Sequence, residues 1–250
     1  MPPSMIYLDH NATTPVDRRV LQAMTPFWRE VYGNASSRQH AAGRAASEAV
    51  ENARIQAAHL IGCEPRAIVF TSGATESNNL ALKGAAEFYG RDKSHARKRH
   101  LIVSAIEHPS VFEVCAWLAE HGFDITTLQP DTGGITAIES VEQAMRDDTL
   151  LVSIMWANNE TGILNDAARI GALCKSRGVF YHTDATQIVG KLPVNVESTG
   201  IDMLSFSAHK MYGPKGAGAL YVRRRSPRIR LQAQQLGGGH ERELRSGTLN

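Results

Sequence analysis

Residues 201–214 read Ile201-Asp202-Met203-Leu204-Ser205-Phe206-Ser207-Ala208-His209-Lys210-Met211-Tyr212-Gly213-Pro214. The apolar run at the start of this segment is typical of a buried strand, and a glycine-containing turn follows it. Lys210 is therefore predicted at the end of a buried strand, between small hydroxyl and imidazole side chains. A solvated surface charge explains such a lysine poorly. A site that lowers a lysine's pKa makes the neutral amine available, and this amine can form a Schiff base with an aldehyde cofactor.

Apolar runs alternate with helical patterns along most of the chain. Predicted strands cover residues 67–71, 100–104, 124–128, 150–155, 179–183, 201–206 and 217–222. Predicted helices cover residues 17–31, 38–60, 75–88, 109–121, 138–145 and 166–177. This alternation predicts an α/β domain with a mostly parallel sheet and helices on both faces. Only a short loop separates the last two strands, so an antiparallel strand is expected there.

The composition, 42% hydrophobic and 21% charged over 250 residues, is that of an ordinary soluble globular protein. Three cysteines lie far apart, at Cys63, Cys115 and Cys174, which predicts neither a disulfide framework nor a metal site. A reducing cytoplasm is the expected compartment. Residues 1–5 lack the features of a secretory signal, and no apolar stretch is long enough to cross a membrane.

Polar clusters follow five of the predicted strands. They are Thr71-Ser72-Gly73-Ala74-Thr75-Glu76, His108, Asn158-Asn159-Glu160, Asp184-Ala185-Thr186-Gln187 and Ser207-Ala208-His209-Lys210. Ligands of α/β sheets bind beyond the carboxyl ends of the strands, so these five clusters are expected to meet at one rim.

Two of these clusters indicate a phosphorylated pyridine cofactor. Gly73 and Thr75 lie where a strand turns into a helix, and the free N–H groups of a helix N-terminus bind anions. The structural alternative is that Ser72 only caps the helix. Asp184 can pair with the protonated ring nitrogen of pyridoxal phosphate, which keeps the ring an electron sink. The alternative is a turn-capping aspartate, but a position one crossover before Lys210 favours the cofactor role.

Three further polar residues gain meaning only from their neighbours. His108 can stack on a flat cofactor and transfer protons near neutral pH, although ten histidines in the chain make a surface-loop histidine an easy alternative. Asn159 and Gln187 can donate hydrogen bonds to a phenolate oxygen. As isolated amides they would indicate nothing.

Two basic segments are weaker signals, because a charge run is usually a solvated face. The formal net charge of +2 does not by itself indicate nucleic-acid binding. Residues 91–100 are predicted to form a solvated loop. An arginine-rich run that follows the last strand is able to contact RNA or an acidic partner; its members are Arg223, Arg224, Arg225, Arg228 and Arg230. No aromatic residues for base stacking lie between them, so direct nucleic-acid binding is not expected.

Taken in order, these residues resemble the cysteine desulfurases, enzymes of the class V aminotransferase family with the pyridoxal-phosphate fold type I. The matching motifs are Tyr7-Leu8-Asp9-His10-Asn11-Ala12-Thr13-Thr14-Pro15, Gly33-Asn34-Ala35-Ser36-Ser37, Phe70-Thr71-Ser72-Gly73-Ala74-Thr75-Glu76-Ser77-Asn78-Asn79, Glu107-His108, Asn158-Asn159-Glu160-Thr161-Gly162, Asp184-Ala185-Thr186-Gln187, Ser207-Ala208-His209-Lys210, Gly237-Gly238-Gly239-His240-Glu241-Arg242 and Arg245-Ser246-Gly247-Thr248. They extend over nearly the whole chain. The motif His240-Glu241-Arg242 resembles the housekeeping iron–sulfur assembly branch of the family more than its nitrogen-fixation branch.

The resemblance implies a role for each site residue. Lys210 would form the Schiff base with pyridoxal 5'-phosphate and move the α-proton, and His108 would stack on the ring as a second catalytic residue. Asp184 would contact the pyridine nitrogen, and Gln187 and Asn159 would contact the ring oxygen. The implied phosphate contacts are Ala74, Thr75, Ser207 and His209, together with Thr248, which would reach the phosphate of the partner subunit. Asn34 and Asn159 would lie at the substrate.

The resemblance also implies an activity and an organisation. A cysteine desulfurase converts L-cysteine to L-alanine and supplies sulfane sulfur for iron–sulfur cluster assembly or tRNA thiolation. It acts as a cytoplasmic homodimer with an iron–sulfur scaffold or other sulfur-acceptor proteins. We expect an N-terminal arm at residues 1–16 and a cofactor-binding large domain at residues 17–250.

Family members continue into a smaller C-terminal domain, which contains the sulfur-accepting cysteine and the arginine that binds the substrate carboxylate. Neither is recognised in this chain, since its three cysteines do not lie in the nucleophile motif. The chain is therefore expected to be a fragment or a natural truncation. Two other interpretations stay open at this point: a related lyase or transaminase of the same fold, and a non-catalytic cofactor-binding or dimerisation module.

Overall fold

The computed structural model describes residues 5–91 and 98–250. The helices are α1 Arg18–Met24, α2 Pro26–Arg29, α3 Ala41–Ile61, α4 Ala74–Arg91, α5 Pro109–Glu120, α6 Ile138–Ala144, α7 Ala167–Arg177 and α8 Val196–Thr199. The strands are β1 Ile68–Thr71, β2 His100–Ser104, β3 Asp124–Leu128, β4 Thr149–Ser153, β5 Phe180–Asp184, β6 Met203–Ser207 and β7 Gly218–Val222. Most of the predicted basic loop, residues 92–97, lies outside the described residues.

The seven strands form one sheet in the order β1-β7-β6-β5-β4-β2-β3. β7 pairs antiparallel with both β1 and β6, and the other strand pairs are parallel. The predicted α/β fold with a mostly parallel sheet is confirmed. The expected antiparallel pairing of the last two strands, β6 and β7, is confirmed as well. The central strands β2 and β4 are buried on both faces and therefore appear in the sequence as mostly apolar runs, whereas the edge strand β3 is partly exposed.

Two apolar cores cover the two faces of the sheet. Alternate residues of a strand point to opposite faces: Leu101 and Leu151 belong to the core with α4 and α5, whereas Ile102 and Val152 belong to the core with α3 and α7. Helices therefore lie on both faces, and the carboxyl ends of the strands remain free to form a site.

Several local boundaries differ from the sequence predictions, and two of the differences bear on the site or on helix geometry. The predicted helix at residues 17–31 is two short helices that meet at Thr25 and Pro26. Proline has no N–H with which to continue the hydrogen-bond ladder, so it begins a new helix instead. β5 and β6 extend to Asp184 and Ser207, and Lys210 then ends a single 3-10 turn after β6 rather than the strand itself.

An extended arm before α1 packs against the turn that contains Lys210. The N–H of Thr14 donates to the carbonyl of His209 over 2.9 Å, and the N–H of Tyr212 donates to the Thr14 hydroxyl over 2.8 Å. Asp17 then donates its N–H to the carbonyl of Tyr212 over 2.9 Å. The N-terminal arm therefore forms part of the surroundings of this lysine. Within residues 5–91 and 98–250, no helix is long and apolar enough to cross a membrane.

Candidate active site

A cavity of about 930 Å³ lies beyond the carboxyl ends of the strands. Nine residues that the sequence predicted for the site line it: Ala74, Thr75, His108, Asn159, Asp184, Gln187, Ser207, His209 and Lys210. The structure thus brings together side chains from loops that are up to 136 positions apart. Asn34 and Thr248 do not line this cavity.

Lys210 enters the cavity from the 3-10 turn Ala208–Lys210. Its Nζ donates a hydrogen bond to the backbone carbonyl of Asn11 in the arm. Burial lowers the pKa of Lys210 below the ordinary lysine value, although the charges of Asp184, Asp9 and Glu160 partly oppose this shift. A lowered pKa increases the fraction of neutral amine, which is the nucleophilic form.

Asp184 is a fixed carboxylate in the cavity wall. It is 5% exposed and ends strand β5. Its Oδ2 accepts a hydrogen bond from Asn78 Nδ2 at 2.8 Å, and its Oδ1 accepts from the N–H of Thr186 at 3.0 Å. A carboxylate held on both oxygens keeps one orientation, so Asp184 can present a defined negative charge to a cationic group in the cavity.

His108 caps the N-terminus of α5, where its Nδ1 accepts from the N–H of Ser110 at 3.1 Å. The preceding residue, Glu107, is buried beneath the site and accepts the N–H of Met155 at 2.6 Å. Burial raises the pKa of Glu107 well above the ordinary value. Burial thus favours the protonated form of Glu107, whereas the Asp184 carboxylate is held by two hydrogen bonds.

An anion cradle forms at the N-terminus of α4, where Ala74 and Thr75 line the cavity. The 18-residue helix directs its free N–H groups and its dipole toward this end. Glu76 holds the preceding loop, because its Oε2 accepts from the Ser72 N–H at 2.7 Å. Arg245 in turn donates to Glu76 Oε1 at 2.8 Å. The carboxylate of Glu76 is thus neutralised and leaves the cradle available for a ligand anion.

Gly218 allows the cradle to approach the sheet. A Cβ at this position would lie 2.5 Å from the Cα of Gly73, closer than real contacts permit. Gly218 pairs with Thr71 on one side and with Ser207 on the other. A side chain here would displace the loop that forms the cradle.

His209 and Lys215 provide the basic side of the same cavity. His209 Nδ1 lies 3.1 Å from the Thr13 hydroxyl of the arm. Burial lowers the pKa of His209, and the positive charges of Lys210 and Lys215 lower it further. His209 is therefore largely neutral near pH 7, and the charge of this side comes from the lysines.

The two predicted amide donors already have protein partners. Asn159 Nδ2 donates to Glu160 at 2.6 Å, and Gln187 Nε2 donates to the carbonyl of Asn11 at 2.9 Å. Lys191 donates to the Oε1 of Gln187 at 2.6 Å, which fixes the orientation of that amide. Each amide nitrogen has a second hydrogen, so both residues can still donate one hydrogen bond to a ligand.

Asn34 and Thr248 lie on the surface of the single chain. Asn34 uses its Oδ1 to accept the N–H of Ser36 at 2.9 Å, as in an Asx turn. The roles implied for Asn34 and Thr248, at the substrate and in the partner subunit, stay predictions.

The sequence assigned no role to several residues that line the cavity. From the arm they are Asp9, Asn11, Ala12 and Thr13, and elsewhere they include Ser110, Thr186 and Lys215. The arm residues belong to the family motif at residues 7–15, but no periodic pattern in the sequence indicates that this segment packs against the cavity. Ser110 and Lys215 are close in sequence to His108 and Lys210, and this proximity was the available signal.

The donor set fits pyridoxal phosphate. An amine of lowered pKa, an oriented carboxylate and a helix N-terminus line one cavity, and these match the aldehyde, the ring nitrogen and the phosphate of that cofactor. No group of three or more histidine, cysteine or acidic residues in the described part of the chain could hold a metal ion.

The three cysteines lie away from the cavity. Cys115 and Cys174 are buried, and Cys63 is half-buried just after α3. Burial raises the pKa of Cys63 and of Cys115 to about 12, and it also raises the pKa of Cys174. All three are therefore neutral thiols of low reactivity near neutral pH.

Comparisons with known proteins agree with this geometry. The model of the family described as aminotransferase class-V matches residues 6–248. Proteins named cysteine desulfurase IscS from Salmonella arizonae and Klebsiella pneumoniae are 55% identical over 246 residues, which is 98% of this chain and 59% of theirs. The chain therefore spans about three fifths of the length of these curated relatives.

Solved structures give the same result. A NifS-like protein superposes with a TM-score of 0.92 at 42% identity, with 98% of this chain and 65% of that chain covered. A structure described as SspA in complex with cysteine has a TM-score of 0.91 at 42% identity, with coverages of 98% and 69%. The resemblance to fold type I enzymes is confirmed. Since the family model matches nearly every residue, the chain belongs to the class-V aminotransferases.

Proposed function

We propose that this chain provides the cofactor site of a pyridoxal-phosphate-dependent cysteine desulfurase. Such an enzyme converts L-cysteine to L-alanine and supplies sulfane sulfur for iron–sulfur cluster assembly or tRNA thiolation. The observation that supports it most directly is that Lys210, Asp184 and His108 line one cavity. The 55% identity to proteins named cysteine desulfurase favours this activity over other reactions of the fold.

The cofactor would be held by residues from several strand ends. Lys210 would bind its aldehyde carbon, Asp184 its ring nitrogen, and His108 would stack on its ring. Asn159 and Gln187 would donate to the ring oxygen. The phosphate would contact the side chains or N–H groups of Ala74, Thr75, Ser207 and His209, with Thr248 reaching the phosphate in the partner subunit.

When bound, pyridoxal phosphate supplies an electron sink for the carbanion that forms at the substrate α-carbon. Asp184 would keep the ring nitrogen protonated, since its carboxylate has a fixed orientation. Lys210 would remove the α-proton and return it, for which an amine of lowered pKa is suited. Asn34 and Asn159 would lie beside the substrate.

Sulfur transfer needs a thiolate close to the substrate sulfur. None of Cys63, Cys115 and Cys174 lines the cavity. We infer that the sulfur-accepting thiol comes from a segment or a molecule other than these 250 residues. A sulfur-acceptor protein, such as an iron–sulfur scaffold, would then receive the sulfane sulfur.

We also infer that the working form is a cytoplasmic homodimer. Its large domain would comprise residues 17–250, with residues 1–16 as an arm. Large apolar side chains near α2 are exposed in the single chain: Phe27 at 45%, Trp28 at 56% and Tyr32 at 76%. Exposed apolar patches of this kind are usually covered by another protein surface, which supports a dimer of this chain.

Cofactor capture tests the proposal directly. The purified protein is incubated with pyridoxal phosphate, reduced with borohydride and mapped by peptide mass spectrometry. Wild type should retain the cofactor on Lys210, and Lys210→Ala should retain none. Lys215→Ala is the matched control, because Lys215 lines the same cavity and should not be the labelled residue. A label on any residue other than Lys210 would contradict the assignment.

Product analysis separates the desulfurase from its relatives. The chain is assayed in a preparation that also contains its natural sulfur-accepting partner thiol. Alanine together with protein persulfide would support the desulfurase. A keto acid from the same incubation would indicate a transaminase or lyase. Bound cofactor without any product would indicate a non-catalytic binding module.

A further inference from the structure

We propose that Asn78 and Ser110 are positioning residues that join Asp184 to His108 and hold the His108 ring with its proton on Nε2. Four side chains form one continuous line. Asn78 Nδ2 lies 2.8 Å from Asp184 Oδ2 and 2.9 Å from Ser110 Oγ, and Ser110 Oγ lies 2.8 Å from His108 Nδ1.

The direction of every hydrogen bond in this line follows from Asp184. An ionised carboxylate can only accept, so the group of Asn78 that faces it must be the donating NH₂. The opposite amide orientation would place the carbonyl oxygen of Asn78 against the carboxylate, and two acceptors repel. The second hydrogen of the same Nδ2 then points to Ser110 Oγ, which therefore accepts.

The hydrogen bonds of Ser110 determine which nitrogen of the His108 ring is unprotonated. Its hydroxyl accepts from Asn78, so its own proton is free to donate to His108 Nδ1. The backbone N–H of Ser110 also points at this nitrogen from 3.1 Å. Nδ1 of His108 thus receives two donors and must be unprotonated. In a neutral imidazole the remaining proton is then on Nε2.

Burial restricts the orientations that the side chains of this line can adopt. Asn78 is 0% exposed, so water cannot replace a missing partner of its amide, and Ser110 is 8% exposed. The Oδ1 of Asn78 has no hydrogen-bond partner among the described residues. A buried amide that leaves its acceptor unused to direct both hydrogens at Asp184 and Ser110 has one stable orientation. The line therefore acts as a fixed connection between the carboxylate and the ring.

The consequence for chemistry rests on the proposed function. A ring with Nε2–H presents a donor to a bound ligand, and Nδ1 is unavailable as a base. His108 would then donate a hydrogen bond from Nε2, while Lys210 remains the base. Asn78 lies behind the cavity wall and Ser110 lines the cavity. In this scheme neither is assigned a contact with substrate or cofactor, and both act through Asp184 and His108.

Nitrogen-15 NMR of the imidazole rings tests the connection without any turnover. The signals of His108 are identified by their loss in His108→Gln. In wild type, Nδ1 should resonate as an unprotonated, hydrogen-bonded nitrogen and Nε2 as a protonated one. Ser110→Ala and Asn78→Ala should each move the Nδ1 resonance toward that of a free nitrogen. Ser176→Ala, an exposed helix serine whose hydroxyl binds only the Leu173 carbonyl, should leave it unchanged.

Either of two results would overturn the proposal: a protonated Nδ1 in the wild-type protein, or an unchanged Nδ1 resonance in both variants. Asn78→Ala removes a fully buried amide and risks misfolding. Ser110→Ala deletes only one hydroxyl, so it decides the question if the first variant does not fold.

Cofactor affinity provides a second, independent measurement. Asn78→Ala should weaken pyridoxal phosphate binding roughly tenfold, since Asp184 loses a charge-assisted hydrogen bond. Ser110→Ala should change it by less than about twofold, because Ser110 does not touch Asp184. Equal affinity of Asn78→Ala and wild type would refute the link to Asp184. No binding by wild type would instead count against the proposed function and leave the NMR result standing.

Discussion

Arg54 and Glu241 form a buried, two-pronged ion pair although 187 positions separate them. Both guanidinium NH groups of Arg54 reach the carboxylate, at 2.7 and 2.8 Å, and the N–H of Phe70 also donates to it at 2.7 Å. The side chains are only 3% and 2% exposed. Residues 241–243 all have positive φ angles, of 47°, 58° and 66°, which non-glycine residues rarely adopt. The pair therefore ties a strained turn to α3 and β1.

Arg54→Ala should lower the free energy of unfolding by about 3–5 kcal/mol, because it leaves the Glu241 carboxylate buried and unpaired. Urea denaturation followed by circular dichroism measures the change. The double variant Arg54→Leu, Glu241→Leu should lose less than the single variant, since no lone charge remains. Arg19→Ala breaks an exposed pair with Asp17 and should have no measurable effect. A single variant as stable as wild type would show that the pair contributes little.

Asp184→Ala should impair cofactor chemistry more than folding. The carboxylate faces the cavity, so its loss should weaken pyridoxal phosphate binding more than roughly tenfold. It should also suppress exchange of the α-proton of L-alanine in deuterated water, which proton NMR follows. The melting temperature, measured without cofactor, should change little in comparison. Exchange at the wild-type rate in this variant would exclude the assigned role of Asp184.

The 250-residue polypeptide should not release alanine from L-cysteine by itself, even with cofactor bound. Its thiols lie away from the cavity, and burial raises the pKa of Cys63 and Cys115 to about 12. Iodoacetamide at pH 8 should alkylate the folded protein at least roughly a hundredfold more slowly than the unfolded protein. The Klebsiella pneumoniae protein named cysteine desulfurase IscS is the positive control for the turnover assay. Alanine release by the polypeptide alone would require a separate test of each cysteine.

His182 should make the fold sensitive to mild acid. Its ring is fully buried between the hydroxyls of Ser153 and Ser205, at 2.8 and 3.0 Å. Burial lowers the pKa of His182 to about 4, and the nearby Asp184 opposes this shift only in part. The unfolded chain binds the proton near pH 6.5 and the folded chain only near pH 4, so stability falls as pH decreases between these values. The loss should amount to about 3 kcal/mol.

The matched variant for this prediction is His182→Asn, which cannot titrate. Unfolding free energies of wild type and variant are compared at pH 7 and at pH 4. The stability of wild type relative to the variant should decrease toward pH 4. A difference that stays constant across this range would show that His182 does not titrate with folding.

Local sequence patterns predicted the sheet well. β2 and β3 coincide with the predicted ranges, and the other strands shift by one or two residues. The apolar runs of the central strands are long because both faces are buried, and a polar residue such as Asp184 or Ser207 marks the end of a strand. The rule that ligands bind at the carboxyl ends then placed nine predicted residues around one cavity.

Contacts between distant segments could not be predicted in this way. The line from Asp184 through Asn78 to His108 joins three elements, and each of its members reads in the sequence as an ordinary polar residue. The same applies to the turn at residues 241–243, whose strain depends on Arg54 in another helix. Such contacts are set by tertiary packing, which leaves no periodic trace in the sequence.

The hydrogen bond from the Thr14 hydroxyl to the carbonyl of His209 spans 195 positions. A ribosome makes Thr14 long before it makes His209. The arm therefore lacks its hydrogen-bond partner while the first six of the seven strands are synthesised. At roughly 5–20 residues per second, that interval is about 10–40 seconds. During this interval Lys210 has not yet been made, so the Asn11 carbonyl of the arm lacks the amine that it accepts from in the folded domain. Strand β7 and the Arg54–Glu241 pair follow later still, so the candidate cofactor site is one of the parts of the domain that form late in synthesis. Nascent chains released before His209 should retain no pyridoxal phosphate after borohydride reduction.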